Sequence, residues 1–119
     1  MKLIDIINRH YESSSSVTEE YKVAKRDFRS VLKKMFKGDN VIIGSCPHFE
    51  FTGFINRGMK YVYFSTSDLR WKSDMLVRTA KNDTDWTGGH NNFVRYNEDF
   101  DEKFKTKVEE LLTLSSTYN

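Results

Sequence analysis

The spacing of apolar residues changes at Asn40, and this change most limits the folds open to the chain. Before it, in residues 18–37, apolar residues recur at steps of three and four, which is typical of an amphipathic helix. After it, residues 49–55 alternate aromatic residues with polar or small ones, which is the period of a strand. The two periods occupy separate blocks of the sequence, so we predict an α+β fold.

Three helices are predicted, over residues 2–11, 18–37 and 98–114, because each segment carries an apolar stripe at helical spacing. The stripes are Leu3, Ile4, Ile7 and Tyr11 in the first, Tyr21, Ala24, Phe28, Val31, Leu32 and Met35 in the second, and Phe100, Phe104, Val108, Leu111 and Leu112 in the third. Ser16-Val17-Thr18-Glu19 has the capping-box form that starts a helix, and Gly38 suits the position that ends one.

Between the second and third helices, residues 40–96 predict an antiparallel sheet of three to five strands. Residues 49–55 and 59–65 are expected to form a hairpin, because Asn56-Arg57-Gly58 between them has turn chemistry. Val62-Tyr63-Phe64 is a continuous apolar run, which predicts a central strand covered on both faces. Shorter strands are predicted at 41–43, 75–80 and 93–96.

A chain of 119 residues with 38% apolar residues fits a single domain, residues 1–119, with one core. Its one cysteine excludes an internal disulfide and suits a reducing compartment. No run of about 18 apolar residues is present. Asp5 and Arg9 interrupt any apolar segment that a signal peptide would need. We therefore predict a cytoplasmic protein that does not enter a membrane.

Charge is distributed unevenly along the chain. Residues 1–39 hold nine Lys/Arg against six Asp/Glu, residues 40–97 hold seven against five, and residues 98–119 hold three against six. In the second predicted helix, basic residues lie roughly opposite the apolar stripe, at Lys22, Arg26, Arg29, Lys33 and Lys37. Two interpretations remain open, a solvated face or a surface that faces phosphate, because charge alone is not selective.

Residues 75–94 contain the segment that differs most from ordinary scaffold. A strand pattern leads into a loop with Gly88-Gly89, and paired glycines serve a sharp turn or a close approach of the backbone to another group. The candidate binding site consists of Arg78, Lys81, Asp85, Trp86, Gly88, Gly89, His90, Asn91, Asn92 and Arg95, with Phe93 as a further flat face. This mixture suits a tight turn packed on the protein, a hot spot for a partner protein, or a site for a nucleotide.

No residue pattern predicts a catalytic centre, a metal site or a cofactor. Cys46 and His48 form a Cys-x-His pair, but the sequence lacks the second ligand pair of a tetrahedral metal site. A nucleophilic Cys46 paired with a histidine is the enzymatic alternative, and a buried, packed thiol is the simpler one. Asp83 and Asp85 suit side-chain-to-backbone turns. We therefore predict a protein that is not an enzyme.

Part of the sequence resembles small uncharacterised proteins of phages and prophages of Gram-positive bacteria. The resemblance rests on Arg78-Thr79-Ala80-Lys81, on Asp85-Trp86-Thr87-Gly88-Gly89-x-Asn91, and on the strand Tyr61–Ser65 with Asp68 and Arg70 behind it. These runs lie within residues 50–95. Phage proteins of this size are often inhibitors of host systems, including anti-CRISPR proteins and sponges for cyclic nucleotide signals. The resemblance implies this setting and supplies no catalytic residue.

The combined prediction is a non-enzymatic binding protein that presents the 78–95 loop, and the basic back of the 18–37 helix, to a macromolecule. In a phage setting it would inhibit a bacterial defence complex by occluding a protein or nucleoprotein surface, with Arg78, Lys81, Trp86 and Asn92 as first contacts. One alternative is a sponge for a small cyclic nucleotide, with a pocket that a homodimer interface could supply. The other is a nucleic-acid-binding protein.

Overall fold

Five antiparallel strands form one sheet, in which every strand pairs with the next one along the chain. The computed structural model describes residues 1–9, 11, 19–44, 50–66, 69, 74–84 and 89–113. The strands are β1 (Asn40–Ile43), β2 (Thr52–Arg57), β3 (Lys60–Thr66), β4 (Asp74–Ala80) and β5 (Asn92–Arg95), and the helices are α1 (Leu3–Ile7), α2 (Glu19–Met35) and α3 (Phe100–Leu112). The predicted α+β arrangement of two N-terminal helices, an antiparallel sheet and a C-terminal helix is confirmed.

The described helices are shorter than predicted. α1 ends at Ile7 instead of residue 11, because the Arg9 N–H turns back to the Ile6 carbonyl at 3.2 Å and tightens the last turn. α2 ends at Met35, and Gly38 has a φ of +93°, the left-handed conformation predicted for the end of this helix. Residues 16–18 of the predicted capping box lie outside the described residues. No described helix is long and apolar enough to cross a membrane.

The hairpin predicted for the second and third strands is confirmed, but its turn lies further along the chain than predicted. β2 pairs with β3 from Thr52 opposite Ser65 to Arg57 opposite Lys60. Asn56 and Arg57 therefore belong to the strand, because cross-strand pairing outweighs their turn-like composition. Gly58 and Met59 form the turn, and Gly58 has a φ of +61°, which glycine adopts without a steric penalty.

β3 is the central strand, as predicted, but the prediction that it is covered on both faces is wrong. Val62, Phe64 and Thr66 are buried, whereas Tyr61, Tyr63 and Ser65 are only partly buried. The apolar run arises because tyrosine suits a half-covered surface, with its ring packed and its hydroxyl near water. The sheet thus has a sealed face, which the helices cover, and a partly covered face.

A layer of phenylalanine side chains lies between the helices and the sealed face. Phe28 of α2 contacts Phe51, next to β2, and Phe64 of β3 at ring-centroid distances of 4.8 and 6.2 Å. Phe104 of α3 meets Phe64 edge-on at 6.2 Å and stacks on Phe100 at 5.6 Å. All five rings are fully buried. Burial of one such side chain stabilises the fold by roughly 1.5–3 kcal/mol, so this layer holds α2 and α3 against the sheet.

Three carboxylates, those of Asp101, Asp39 and Glu109, tie distant parts of the chain together. Asp101 of α3 accepts hydrogen bonds from the backbone N–H groups of Leu3 and Ile4 at 2.7 and 3.0 Å, and it thereby holds the first turn of α1. Arg57, at the end of the hairpin, donates to Asp39 at 2.8 Å and to Glu109 of α3 at 2.9 Å. Hydrogen bonds to Asp39 and then to Glu109 raise the pKa of Arg57 above its usual value.

Tyr11 is buried, as its place in the first apolar stripe predicts, although it lies beyond the end of α1. Its hydroxyl donates a hydrogen bond to the Ile6 carbonyl at 2.6 Å. Burial raises the pKa of Tyr11 from 10.0 to about 12, because the apolar surroundings disfavour the phenolate. The protonated phenol is therefore the form that the folded protein prefers.

Alkaline pH is expected to weaken the fold through Tyr11. In the unfolded chain the phenol has a pKa of 10.0 and in the folded chain one of about 12, so its stabilising contribution is complete below pH 10 and is lost as pH rises to 12. The free energy of unfolding, measured by urea titration across this range, should fall more steeply for the wild type than for Tyr11→Phe. Parallel pH profiles for the two proteins would contradict the assignment.

Candidate functional site

Side chains on the partly covered face of the sheet form a row across β2, β3 and β4. The strand register places Phe54 opposite Tyr63, and Tyr63 opposite Arg78. The two rings are 5.3 Å apart, and the guanidinium carbon of Arg78 lies 5.1 Å from the centroid of the Tyr63 ring. Arg78 also donates a hydrogen bond to the side-chain oxygen of Asn91 at 3.1 Å. This predicted site residue is therefore held by a cation–π contact and an amide of the same chain.

Gly89 closes the base of the predicted loop against β4. It has a φ of +58°, and a Cβ at this position would lie 2.5 Å from the hydroxyl oxygen and 2.7 Å from the carbonyl oxygen of Thr79. No side chain fits into that space without a shift of the backbone. The glycine thus allows a close approach of two backbone segments, which is one of the two roles predicted for the glycine pair.

The two predicted asparagines brace the return of the loop into β5. The side-chain amide of Asn92 donates hydrogen bonds to the carbonyls of Val77 and His90 at 3.2 and 3.0 Å. Asn91 accepts the hydrogen bond from Arg78. Both residues belong to the predicted binding site, but their side-chain amides form hydrogen bonds within the protein.

The other predicted loop residues are divided between the surface and the part of the chain that is not described. Lys81, His90 and Arg95 are exposed. Asp85, Trp86 and Gly88 lie outside the described residues. The structure therefore brings Arg78, Gly89, Asn91 and Asn92 together at the junction of β4 and β5, with the three exposed residues around this junction.

Phe93 stands on β5, at one edge of the sheet, with 60% of its surface exposed. The Thr66 N–H donates a hydrogen bond to the Phe51 carbonyl, so the backbone groups of Thr66 point from β3 towards β2. In antiparallel pairing this direction alternates from one residue to the next. Counted through the registers of β3, β4 and β5, the alternation points the Phe93 N–H and C=O outward, away from β4. The sequence predicts Phe93 only as a further flat face of the candidate site. Its outward position follows from the strand period, because its neighbour Val94 is buried.

Four of the five basic residues predicted opposite the apolar stripe form one exposed surface of α2, which we call the basic face, and the fifth, Lys37, lies beyond the end of α2. The basic face consists of Lys22, Arg26, Arg29 and Lys33. At 3.6 residues per turn and 1.5 Å per residue, these four positions fall within an arc of about 60° and a length of about 16 Å. The opposite side of α2 holds the buried residues Tyr21, Ala24, Phe28 and Leu32. The predicted amphipathic pattern is confirmed.

Few acidic groups neutralise the basic face. Among the described residues, Lys22, Arg29 and Lys33 take part in no ion pair, and Arg26 approaches Asp27 only to 3.9 Å while its side chain is 75% exposed. Asp27 is bound more closely by Arg9, at 2.9 Å. Residues 19–37 contain seven Lys/Arg and three Asp/Glu, a local charge of +4, compared with +2 for the whole chain. The positive potential of α2 therefore faces solvent.

The described residues contain no group of three or more His, Cys, Asp or Glu side chains that could hold a metal ion. Cys46 and His48 lie outside the described residues, so the structure does not locate the cysteine-based alternative. What the described geometry offers is two surfaces for binding, the basic face and the edge strand β5. No match was found when the chain was compared with protein families, with curated proteins and with solved structures.

Substitution of Gly89 should disturb the junction more than substitution of the hairpin glycine. Both glycines have a left-handed φ, but only a Cβ at Gly89 would overlap Thr79, whereas a Cβ at Gly58 would meet nothing within 4 Å. We expect Gly58→Ala to lower the free energy of unfolding by about 1 kcal/mol and Gly89→Ala by about 2–4 kcal/mol. Urea unfolding of both variants measures the difference. Equal losses would show that the contact with Thr79 is not a constraint.

Proposed function

We propose that this protein is a non-enzymatic binding protein that contacts the phosphate backbone of a nucleic acid, free or within a nucleoprotein complex, through the basic face of α2. The observation that carries the proposal is a row of four aligned cations of which, among the described residues, three take part in no ion pair and the fourth, Arg26, approaches Asp27 only to 3.9 Å. Phosphate contacts of this kind depend on Lys and Arg side chains that are free to replace condensed counterions. The proposal agrees with the predicted cytoplasmic location.

The arrangement of α2 supports this proposal over a merely solvated helix. A solvated helix often carries pairs of opposite charge at spacings of three or four residues, such as Lys107–Glu110 within α3 and Lys103 of α3 with Asp99 just before it. In α2, positions 22, 26, 29 and 33 repeat the same charge at those spacings, which destabilises an isolated helix. An anionic partner that binds along the helix would relieve this repulsion.

In a phage setting, we propose that the nucleic acid belongs to a nucleoprotein complex of the host. A small protein that covers the phosphate groups of a host nucleoprotein complex would keep that complex from its own target, and so would inhibit a bacterial defence system by occlusion. The junction at Arg78 and Gly89 would then serve to hold the start of β5 against β4. The resemblance stated above motivates this setting, and the basic face supplies its chemistry.

Binding to labelled DNA tests the proposal directly. Four phosphate contacts predict a slope of about −3 to −4 for the logarithm of affinity against the logarithm of salt concentration. Lys22→Gln combined with Arg29→Gln should lower the magnitude of this slope by about 2 and weaken binding at every salt concentration. Fluorescence anisotropy titrations give both quantities.

The matched control removes two positive charges from another helix. Lys103→Gln combined with Lys105→Gln changes the net charge by the same amount, on the exposed surface of α3. This variant should keep the wild-type salt slope, because its lysines lie outside the basic face. If both double variants lose affinity equally, net charge governs binding and the basic face is not the site. If the wild type binds no DNA at low salt, the proposal fails.

The edge strand β5 supports a second candidate function, contact with a partner protein. An exposed aromatic ring beside outward-directed backbone groups is a feature that an extended segment of another protein can pair with. Under this alternative, occlusion would act on a protein surface and Phe93 would be its anchor.

Affinity capture from a bacterial lysate tests this second candidate with a matched pair of variants. Phe93→Ser should abolish capture of any specific partner, and Met59→Ser should not, although Met59 at the hairpin tip is even more exposed, at 77%. Thermal unfolding of both variants confirms that the fold is intact. Capture of the same proteins by both variants would exclude β5 as the contact surface.

A further inference from the structure

We infer that the basic face recognises double-stranded rather than single-stranded nucleic acid. This inference rests on the proposed function, because it names the class of nucleic acid for the same surface. Two observations carry it, the rigid linear array of cations on α2 and the absence of an exposed aromatic side chain on that helix, all of whose residues the structure describes.

The linear array matches the charge density of a duplex. Double-stranded DNA carries one negative charge per about 1.7 Å of its axis, so the basic face, about 16 Å long, would lie along about ten phosphate charges. Because Phe28 and Leu32 pack into the core, α2 cannot bend to follow a flexible strand. A stiff duplex therefore matches this surface better than a flexible single strand, which would have to straighten in order to bind along it.

The second observation is that no aromatic side chain of α2 is exposed, so none can stack on a base. Proteins that bind single strands without sequence preference stack successive bases on aromatic side chains beside a basic groove. The aromatic residues of α2 are Tyr21 and Phe28, and both are buried against the core. Phe93, the exposed phenylalanine among the described residues, lies on β5, whereas α2 packs against β1 at the other edge of the sheet. Within the part of the chain that the structure describes, the basic face can thus contact phosphates but has no platform for an unstacked base.

Charge on the flanks of the basic face is consistent with contact along the whole helix. Lys25 lies beside the row formed by Lys22 and Arg29, and Lys37 continues the row beyond the end of α2. The acids Glu19 and Glu20 occupy only the first turn, where they complement the positive end of the helix dipole. Phosphate contacts are therefore expected from Lys22 onward and not at the first turn.

The test compares a duplex with a single strand of equal length and sequence, using the full chain and fluorescence anisotropy. With four phosphate contacts, affinity for the duplex should fall about 150-fold between 50 and 200 mM salt, and affinity for the single strand about 50-fold. Taking equal affinities at 1 M salt, where counterion release no longer contributes, these slopes predict that the duplex binds about ten times more tightly at 50 mM. The Lys22→Gln, Arg29→Gln variant should lose most of this preference, and the Lys103→Gln, Lys105→Gln variant should keep it.

Each outcome separates the inference from the proposal on which it rests. Equal or tighter binding of the single strand by the wild type, with binding lost in the α2 variant, overturns the duplex inference and leaves the proposed function intact. Absence of binding to both forms overturns the proposed function as well. A duplex preference that survives in the α2 variant shows that another surface carries it, and this result also overturns the inference.

Discussion

The packing of phenylalanine rings between the helices and the sealed face of the sheet is the interaction on which the rest of this structure depends. Phe28 can meet Phe51 and Phe64 only if one side of α2 points at the sheet. An α-helix with a buried side necessarily has an opposite side, and the residues placed there become the exposed surface of the protein. The position of the basic face is thus a consequence of how the core is packed, and loss of one ring, at about 3–5 kcal/mol, would disturb both.

The junction of β4 and β5 shows how residues with binding chemistry can serve as scaffold. An arginine, two asparagines and a glycine were grouped by sequence analysis because such residues often hold a ligand. Arg78 instead lies over Tyr63 and donates to Asn91, while Asn92 completes the hydrogen bonds of nearby carbonyls. Polar groups next to a partly covered sheet need partners of their own, and neighbouring strands supply them. The surface potential of α2, by contrast, has no such internal use.

Features that depend on near neighbours in the sequence were predictable, and features that depend on distant partners were not. The buried stripe of α3, the basic face and most of the stripe of α2 follow from helical period alone. Val31 and Met35, at the margin of the α2 stripe, are only partly buried. The turn after Arg57 was misjudged because pairing with β3 decides it, and the carboxylate that holds the start of α1 comes from a residue far away in the sequence. The role of Arg78 was not predictable, since Tyr63 becomes its neighbour only through the strand register.

The hydrogen bonds from Leu3 and Ile4 to Asp101 have a consequence for the order in which the protein can assemble. Strands that pair with their successors need only short loops to close, and such local pairing is fast. The amide groups at the start of α1 must wait for a carboxylate 98 residues further along. During synthesis on the ribosome, the strands of the sheet can therefore begin to pair before α1 has a partner. The contact between α1 and α3, and with it the complete core, forms only when α3 has emerged.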